Sequence, residues 1–264
     1  MNTLLLGRYY PGESILHRLD PRAKLVGGFY LIFLLLLATN WRAYVLLWIF
    51  TLTIMWLSGV KFSVYYRGVK PLIWLITFTV FLQVLFTAGG TIYVEWGIIT
   101  ISSYGLVNGV YIFCRFIMIV FVSTIVTLTT RPIDLTDAIN YLLRPLNKLK
   151  VPVDEISLML TIALRFVPTL LEETQKVMDA QRSRGTVFGK GSIVIQMKTL
   201  VPIFIPLFSS SLERAEQLAN AMEVKGYQSG KKRTTFRKLS WKKKDTWCLF
   251  ILVFITILLI ILPS

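Results

Sequence analysis

Four stretches of this chain run for seventeen or eighteen residues without a charged side chain, and a fifth, of twenty-seven, carries one. The uncharged runs are Leu25–Trp41, Ala43–Val60, Leu72–Ala88 and Thr246–Pro263; Tyr104–Thr130 holds Arg115 in its first half. Runs of about 17–25 apolar residues cross a hydrocarbon layer as helices, and the longest here can do so tilted. Inside that layer no water satisfies the backbone, which leaves helices and closed barrels as the only spanning forms. The apolar residues are continuous rather than alternating, the helical pattern. Hydrophobic residues make up 55% of the 264 and charged ones 16%, a balance that excludes a water-soluble domain. The expected fold class is an all-α integral membrane protein with about five transmembrane helices.

Charge sets the orientation. Lys and Arg number 29 against 14 Asp and Glu, and 27 of the 29 fall in the first 24 residues, the Lys61–Lys70 loop or residues 131–245. Cations of short loops stay in the cytoplasm, so the N-terminus, the second loop and residues 131–245 are predicted inside and the C-terminus outside. Two further apolar segments, Ile156–Leu171 and Ile193–Ser211, tempt a reading as spans. Crossing there would export Glu172, Glu173, Lys176, Arg182, Arg184 and Lys190, and Arg165, Lys198, Pro202 and Pro206 interrupt them. They are read instead as apolar halves of long helices at the cytoplasmic face, with Pro132–Lys150 a shorter amphipathic helix kinked at Pro145. The organisation predicted is residues 1–130 with four spans, 131–245 as a cytoplasmic region of three amphipathic helices, and 246–264 as the last span. The basic run from Lys231-Lys232-Arg233 to Lys242-Lys243-Lys244 lies just before that span, which favours anionic lipid over nucleic acid as its counterpart.

Within the cytoplasmic region the chain repeats itself. Leu171–Gly185 lines up, 41 positions on, with Leu212–Gly226: Leu, Glu, Ala, a cation and Gly recur in register. In the second copy Phe208, Leu212, Ala215, Ala219 and Met222 step by four and three, an apolar stripe expected to pack. Each copy closes on a cation and a Gly, a helix stop in which Gly takes the left-handed conformation and the cation faces the last carbonyls. Ser183-Arg184-Gly185 and Val224-Lys225-Gly226, with Arg182 and Glu223 beside them, are the candidate contact residues. The Leu19-Asp20-Pro21-Arg22 segment reads as a capped helix start.

Little here supports catalysis. His17 is the only histidine, and Cys114 and Cys248 both sit in apolar runs. Asp134 and Asp137 belong to the first turn of a helix, where carboxylates offset its dipole. Gly185–Gly191 and Gly226–Lys232 approach a phosphate-binding loop, yet each is one residue short between its glycines and lacks the magnesium-binding hydroxyl. Arg115 has no carboxylate within the predicted spans and is expected to pack against backbone carbonyls. No catalytic, metal or cofactor residue is assigned, and any ATP is expected to bind a partner.

The two cation-Gly endings, the Leu-Asp-Pro-Arg start and the Ala163-Leu164-Arg165-Phe166-Val167-Pro168 turn together resemble the transmembrane T component of energy-coupling factor transporters, the EcfT/CbiQ-like family. The resemblance covers essentially the whole chain. It implies a multi-pass protein of a bacterial or archaeal cytoplasmic membrane, with three coupling helices and two arginine-bearing tips that dock on two ABC-type ATPase subunits. It further implies a separate substrate-binding S component and a role in vitamin uptake, ATP hydrolysis residing in the partners. Lys225 departs from the arginine of that pattern and keeps charge without bidentate geometry. A dedicated cobalt or nickel importer subunit is the alternative, and a stand-alone secondary transporter a more distant one.

Overall fold

The computed structural model describes residues 9–96, 99–189, 192–228, 230 and 239–261. In order the elements are helices α1 (Pro21–Leu37), α2 (Trp41–Ser58) and α3 (Phe62–Phe86), strands β1 (Ile92–Trp96) and β2 (Ile99–Ser102), helices α4 (Ser103–Thr129) and α5 (Pro132–Leu143), a 3-10 helix (Arg144–Leu149), and helices α6 (Val153–Ser183), α7 (Ile193–Val224) and α8 (Lys243–Ile261). They divide into two units, Met1–Tyr141 with Leu239–Ser264, and Leu142–Lys238.

The first unit is built on α4, which packs against α1, α2 and α3, while α8 packs on α1. Leu31, Leu35, Leu47, Met118, Val122 and Leu252 form one buried cluster, and Met55, Tyr65, Val69, Phe121 and Ile125 a second. Close approach of α1 and α4 depends on Gly28, where an added Cβ would stand 2.8 Å from Val126 Cγ2. Asp20 caps α1 as expected, its carboxylate accepting from the Arg22 amide at 2.9 Å behind Pro21. A tie across the sequence accompanies it: the buried Asp245 carboxylate accepts from the amides of Asp20 and Lys242, both at 2.7 Å. Lys24 Nζ donates to the Thr129 carbonyl at 2.8 Å, which satisfies an acceptor freed by the end of α4. His17 hydrogen-bonds Ser14 Oγ at 2.7 Å and, through Nε2, the Tyr10 carbonyl at 2.9 Å, a local packing role.

Arg115 behaves as expected of a cation with no carboxylate within reach of its span. Its Nε donates to Tyr44 Oη at 2.9 Å and a terminal nitrogen to the Ala38 carbonyl at 3.0 Å, closing the carboxyl end of α1. Tyr44 is held by stacking on Tyr111, ring centres 4.9 Å apart.

Several local expectations change. The third span does not open at Pro71: α3 begins at Phe62 and runs through that proline, so Arg67 and Lys70 ride on its first turns rather than in a loop. Such a residue forfeits one intrahelical bond only, and long cationic side chains can reach the interface from a helix. Within Gly89–Ser103 the strands β1 and β2 pair antiparallel, with Glu95 opposite Thr100. Buried Ser102 anchors it, donating to the Thr87 carbonyl at 2.7 Å and accepting from the Gly105 amide at 3.0 Å as the cap of α4. Pro145 ends α5 rather than kinking it, the chain continuing as a 3-10 helix. The Ala163–Pro168 segment is no turn but the interior of α6, and α7 likewise continues through Pro202 and Pro206.

Five described helices are long and apolar enough to cross a membrane: α2, α3, α4, α8 and Val194–Val224 of α7. The number matches the sequence reading but the members differ, since that reading counts α1 and lays α7 along the surface. At 17 residues α1 is one residue shorter than the shortest of these, about 26 Å long. The inclusion of α7 follows from its continuity through both prolines, which makes its apolar first half one uninterrupted helical run.

Candidate functional site

The second unit is a pair of long helices, α6 with 31 residues and α7 with 32. They pack on each other with opposite chain directions. Ile162, Phe166 and Leu170 of α6 face Ser211, Ala215, Leu218, Ala219 and Met222 of α7 across an apolar groove of about 460 Å³, so early residues of one helix meet late residues of the other. Further along, Glu155 Oε1 accepts from the Gly230 amide at 3.1 Å. Spacings of three and four put each lining set on one face.

Both helices stop in the same way. At the end of α6 the Gly185 amide donates to the Arg182 carbonyl at 2.9 Å and the Thr186 amide to the Gln181 carbonyl at 3.0 Å; at the end of α7 Gly226 reaches Glu223 at 2.8 Å and Tyr227 reaches Met222 at 2.9 Å. That paired pattern is the Schellman motif, which satisfies carbonyls the helix leaves open. Gly185 has φ +89° and Gly226 φ +75°, and nothing lies within 4 Å of where a Cβ would be. The glycines are therefore required by backbone conformation and not by a close neighbour.

The candidate residues stand out from this frame. Ser183, Arg184, Gly185, Val224, Lys225 and Gly226 are all exposed. Arg184 and Lys225 occupy the cap positions, and among the described residues neither is paired with a carboxylate. Arg182 differs: it holds Asp179 at 2.8 Å and lies 5.8 Å from the Phe188 ring. Glu223 lines the groove rather than the tip. The structure brings each triplet together at its own helix end and does not bring the two triplets to one point, because the helices run antiparallel. Lys190, Gly191 and Lys231–Arg233 lie outside the described residues, so the phosphate-loop comparison and most of the basic anchor do too.

The predicted apolar stripe of α7 divides. Ala215, Ala219 and Met222 line the groove, while Phe208 and Leu212 are 71% and 62% exposed. The step of four from Phe208 to Leu212 drifts across the face presented to α6, and only the later residues meet it. Sequence reasoning missed the polar contact beside the groove, where Glu173 accepts from Arg214 at 2.7 Å and from Ser210 Oγ at 2.6 Å. A signal for it existed: Glu173 and Arg214 are 41 residues apart, the period of the repeat, and opposite in charge.

Comparison with known proteins bears on what such a pair of helix ends serves. A family model described as cobalt transport protein, CbiQ, matches residues 12–236. The energy-coupling factor transporter transmembrane protein EcfT 1 of Listeria monocytogenes is 56% identical over 261 residues, covering 99% of this chain and 98% of that protein. The chain belongs to the CbiQ/EcfT family. EcfT of Lacticaseibacillus paracasei is 54% identical over 93% of both chains, and EcfT of Bacillus subtilis 45% identical over the full length of both. Family members are transmembrane transporter proteins, so the membrane class read from the apolar runs holds, and the resemblance seen in the two endings is a family relationship.

Proposed function

We propose that this chain is the coupling subunit of an energy-coupling factor importer, passing ATP-driven movement of two partner ATPases to a separate vitamin-binding membrane subunit. The observation that carries this reading is the pair of matched, Schellman-closed helix ends, each presenting an exposed cation that no carboxylate among the described residues pairs with. A cation fixed on a helix cap and left unpaired is suited to a carboxylate on another protein. The names of the full-length relatives support the same assignment, and hydrolysis is placed in the partners because no nucleotide-binding loop is complete here. In this arrangement residues 131–245, including both tips, face the cytoplasm with the N-terminus, the C-terminus is external, and α7 lies along the membrane surface; Glu213, Arg214, Glu216 and Glu223 in its second half oppose insertion. The description of the family model names cobalt, while the whole-chain relatives are named for energy coupling, and the reading follows the latter.

Docking at the tips is tested by charge reversal. Truncating or reversing one partner of an interfacial charge pair costs about 2–5 kcal/mol, enough to weaken capture by tens to thousands of times. Arg184→Glu should lower recovery of ATPases with the purified protein more than Lys225→Glu, since a guanidinium holds a carboxylate through two bonds. The double variant should recover none. Undiminished recovery by that variant would refute docking through the tips.

A further inference from the structure

We propose that the head of α1, Asp20 to Lys24, is a clasp that holds together the two places where the chain leaves and re-enters its first unit, with Arg22 as the positioning residue that bridges them. The clasp stands on the geometry of the first unit alone and goes beyond the coupling reading, which can fail without it.

In sequence the second unit is an insertion into the first: the chain departs after Tyr141 and returns at Leu239. Arg22 touches both of those residues. Its guanidinium carbon lies 3.6 Å from the centre of the Tyr141 ring, and Nη2 donates to the Leu239 carbonyl at 3.5 Å. The side chain is 14% exposed, so both contacts are made largely away from bulk water. A planar guanidinium can lay its face on a ring while an N–H at its edge donates to a carbonyl, whereas an ammonium has neither the plane nor the fork.

The neighbours of Arg22 divide the same work. On the returning side the Asp20 amide donates to Asp245 at 2.7 Å, and that carboxylate also takes the Lys242 amide. On the departing side Lys24 Nζ donates to the Thr129 carbonyl at 2.8 Å, just ahead of α5. Asp20 thus holds the return, Lys24 the departure and Arg22 both. The start of a helix favours acids over cations, yet the first turn of α1 carries two cations and no acid, the nearest carboxylate being that of the cap, Asp20, 3.9 Å from Arg22 Nε. What Arg22 and Lys24 gain there is the pair of segments they hold. Two connections fastened to one turn act as a single attachment, so a displacement of either reaches α1. In a coupling subunit, movement of the inserted unit would enter the helical bundle at that turn.

The test uses the full-length protein in detergent, spin-labelled at Leu142→Cys and Ser240→Cys in a Cys114→Ser, Cys248→Ser background. Both are exposed positions, each one residue beyond a residue that Arg22 touches. With Arg22 in place the distance between the labels should be single and narrowly distributed. Arg22→Lys, which keeps the charge, should lengthen and broaden that distance, and so should Tyr141→Leu; Tyr141→Phe, which keeps the ring, should leave it unchanged. Arg22→Lys combined with Tyr141→Leu should broaden it little beyond Arg22→Lys alone, because the two changes remove one shared contact. Should Arg22→Lys fail to fold, Tyr141→Leu against Tyr141→Phe carries the comparison. A melting temperature that falls while the distance stays narrow would assign Arg22 to the stability of α1 alone and overturn the clasp, as would a double variant showing the full sum of the two single effects. A wild-type protein that captures no ATPase removes the coupling reading and leaves the clasp to be decided by the distances, whereas ATPase capture with distances that no variant changes removes the clasp alone.

Discussion

Asp245 does at a single position what no local pattern announces. Its carboxylate is almost wholly buried, 1% exposed, and serves two backbone amides, those of Lys242 beside it and Asp20 at the head of α1. Each amide loses its acceptor if the side chain is shortened, and an unsatisfied buried donor costs about 1–3 kcal/mol. Asp245→Ala should therefore lower stability by about 2–4 kcal/mol in thermal unfolding of the detergent-purified protein, and Asp245→Asn, which keeps one acceptor oxygen, by less. Asp20, which acts on its sequence neighbours, was legible: before Pro21 it reads as a cap and is one. Arg115, with no carboxylate in its span, reads as bound to carbonyls and reaches one, that of Ala38, together with the Tyr44 hydroxyl that the sequence did not announce. Asp245 was not legible, because its partner lies 225 residues away and the acid sits beside three lysines that explain it blandly.

At the level of elements, long continuous patterns survived and short mixed ones did not. The apolar runs became helices, and the two cation-Gly stops became Schellman ends at the residues where the sequence placed them. The pairing of β1 with β2 escaped notice because the strands hold only five and four residues, too few to show an alternation. Proline misled in both directions: Pro71 and Pro168 sit inside helices, where one lost bond is outweighed by a long helix on either side, while Pro145, expected only to kink a helix, follows its end. The stops themselves can be tested. Gly226→Ala places a Cβ on a left-handed residue with open space around it, so the cost is conformational only, about 1–2 kcal/mol. Hydrogen exchange should report faster opening of the last turn of α7, from Met222 onward, with the rest of the helix unchanged; Gly185→Ala should do the same at the end of α6.

For the whole molecule, the assignment of sides decides the rest. Cysteines introduced at Thr186 and Gln228, one just past each tip, should resist a membrane-impermeant thiol reagent in intact cells and react once the cells are opened. Labelling of either in intact cells would place a tip outside and remove the coupling reading. The test also settles α7, whose length and apolarity admit a span while its charges oppose one.

The bond between the Asp20 amide and Asp245 has a consequence for biosynthesis. A ribosome delivers α1 early and α8 late, with the entire α6/α7 pair made in between. Until α8 emerges, the Asp20 amide lacks its acceptor, and Leu31 and Leu35 lack Leu252 and Ile255 of their cluster. The nascent protein must therefore wait in the bilayer with one flank of its helical bundle unsealed, and the insertion machinery or lipid has to shield that flank. Ribosome stalling or premature termination ahead of Lys243 would strand the chain at that stage, with its first helix packed on α4 and its other flank left without α8.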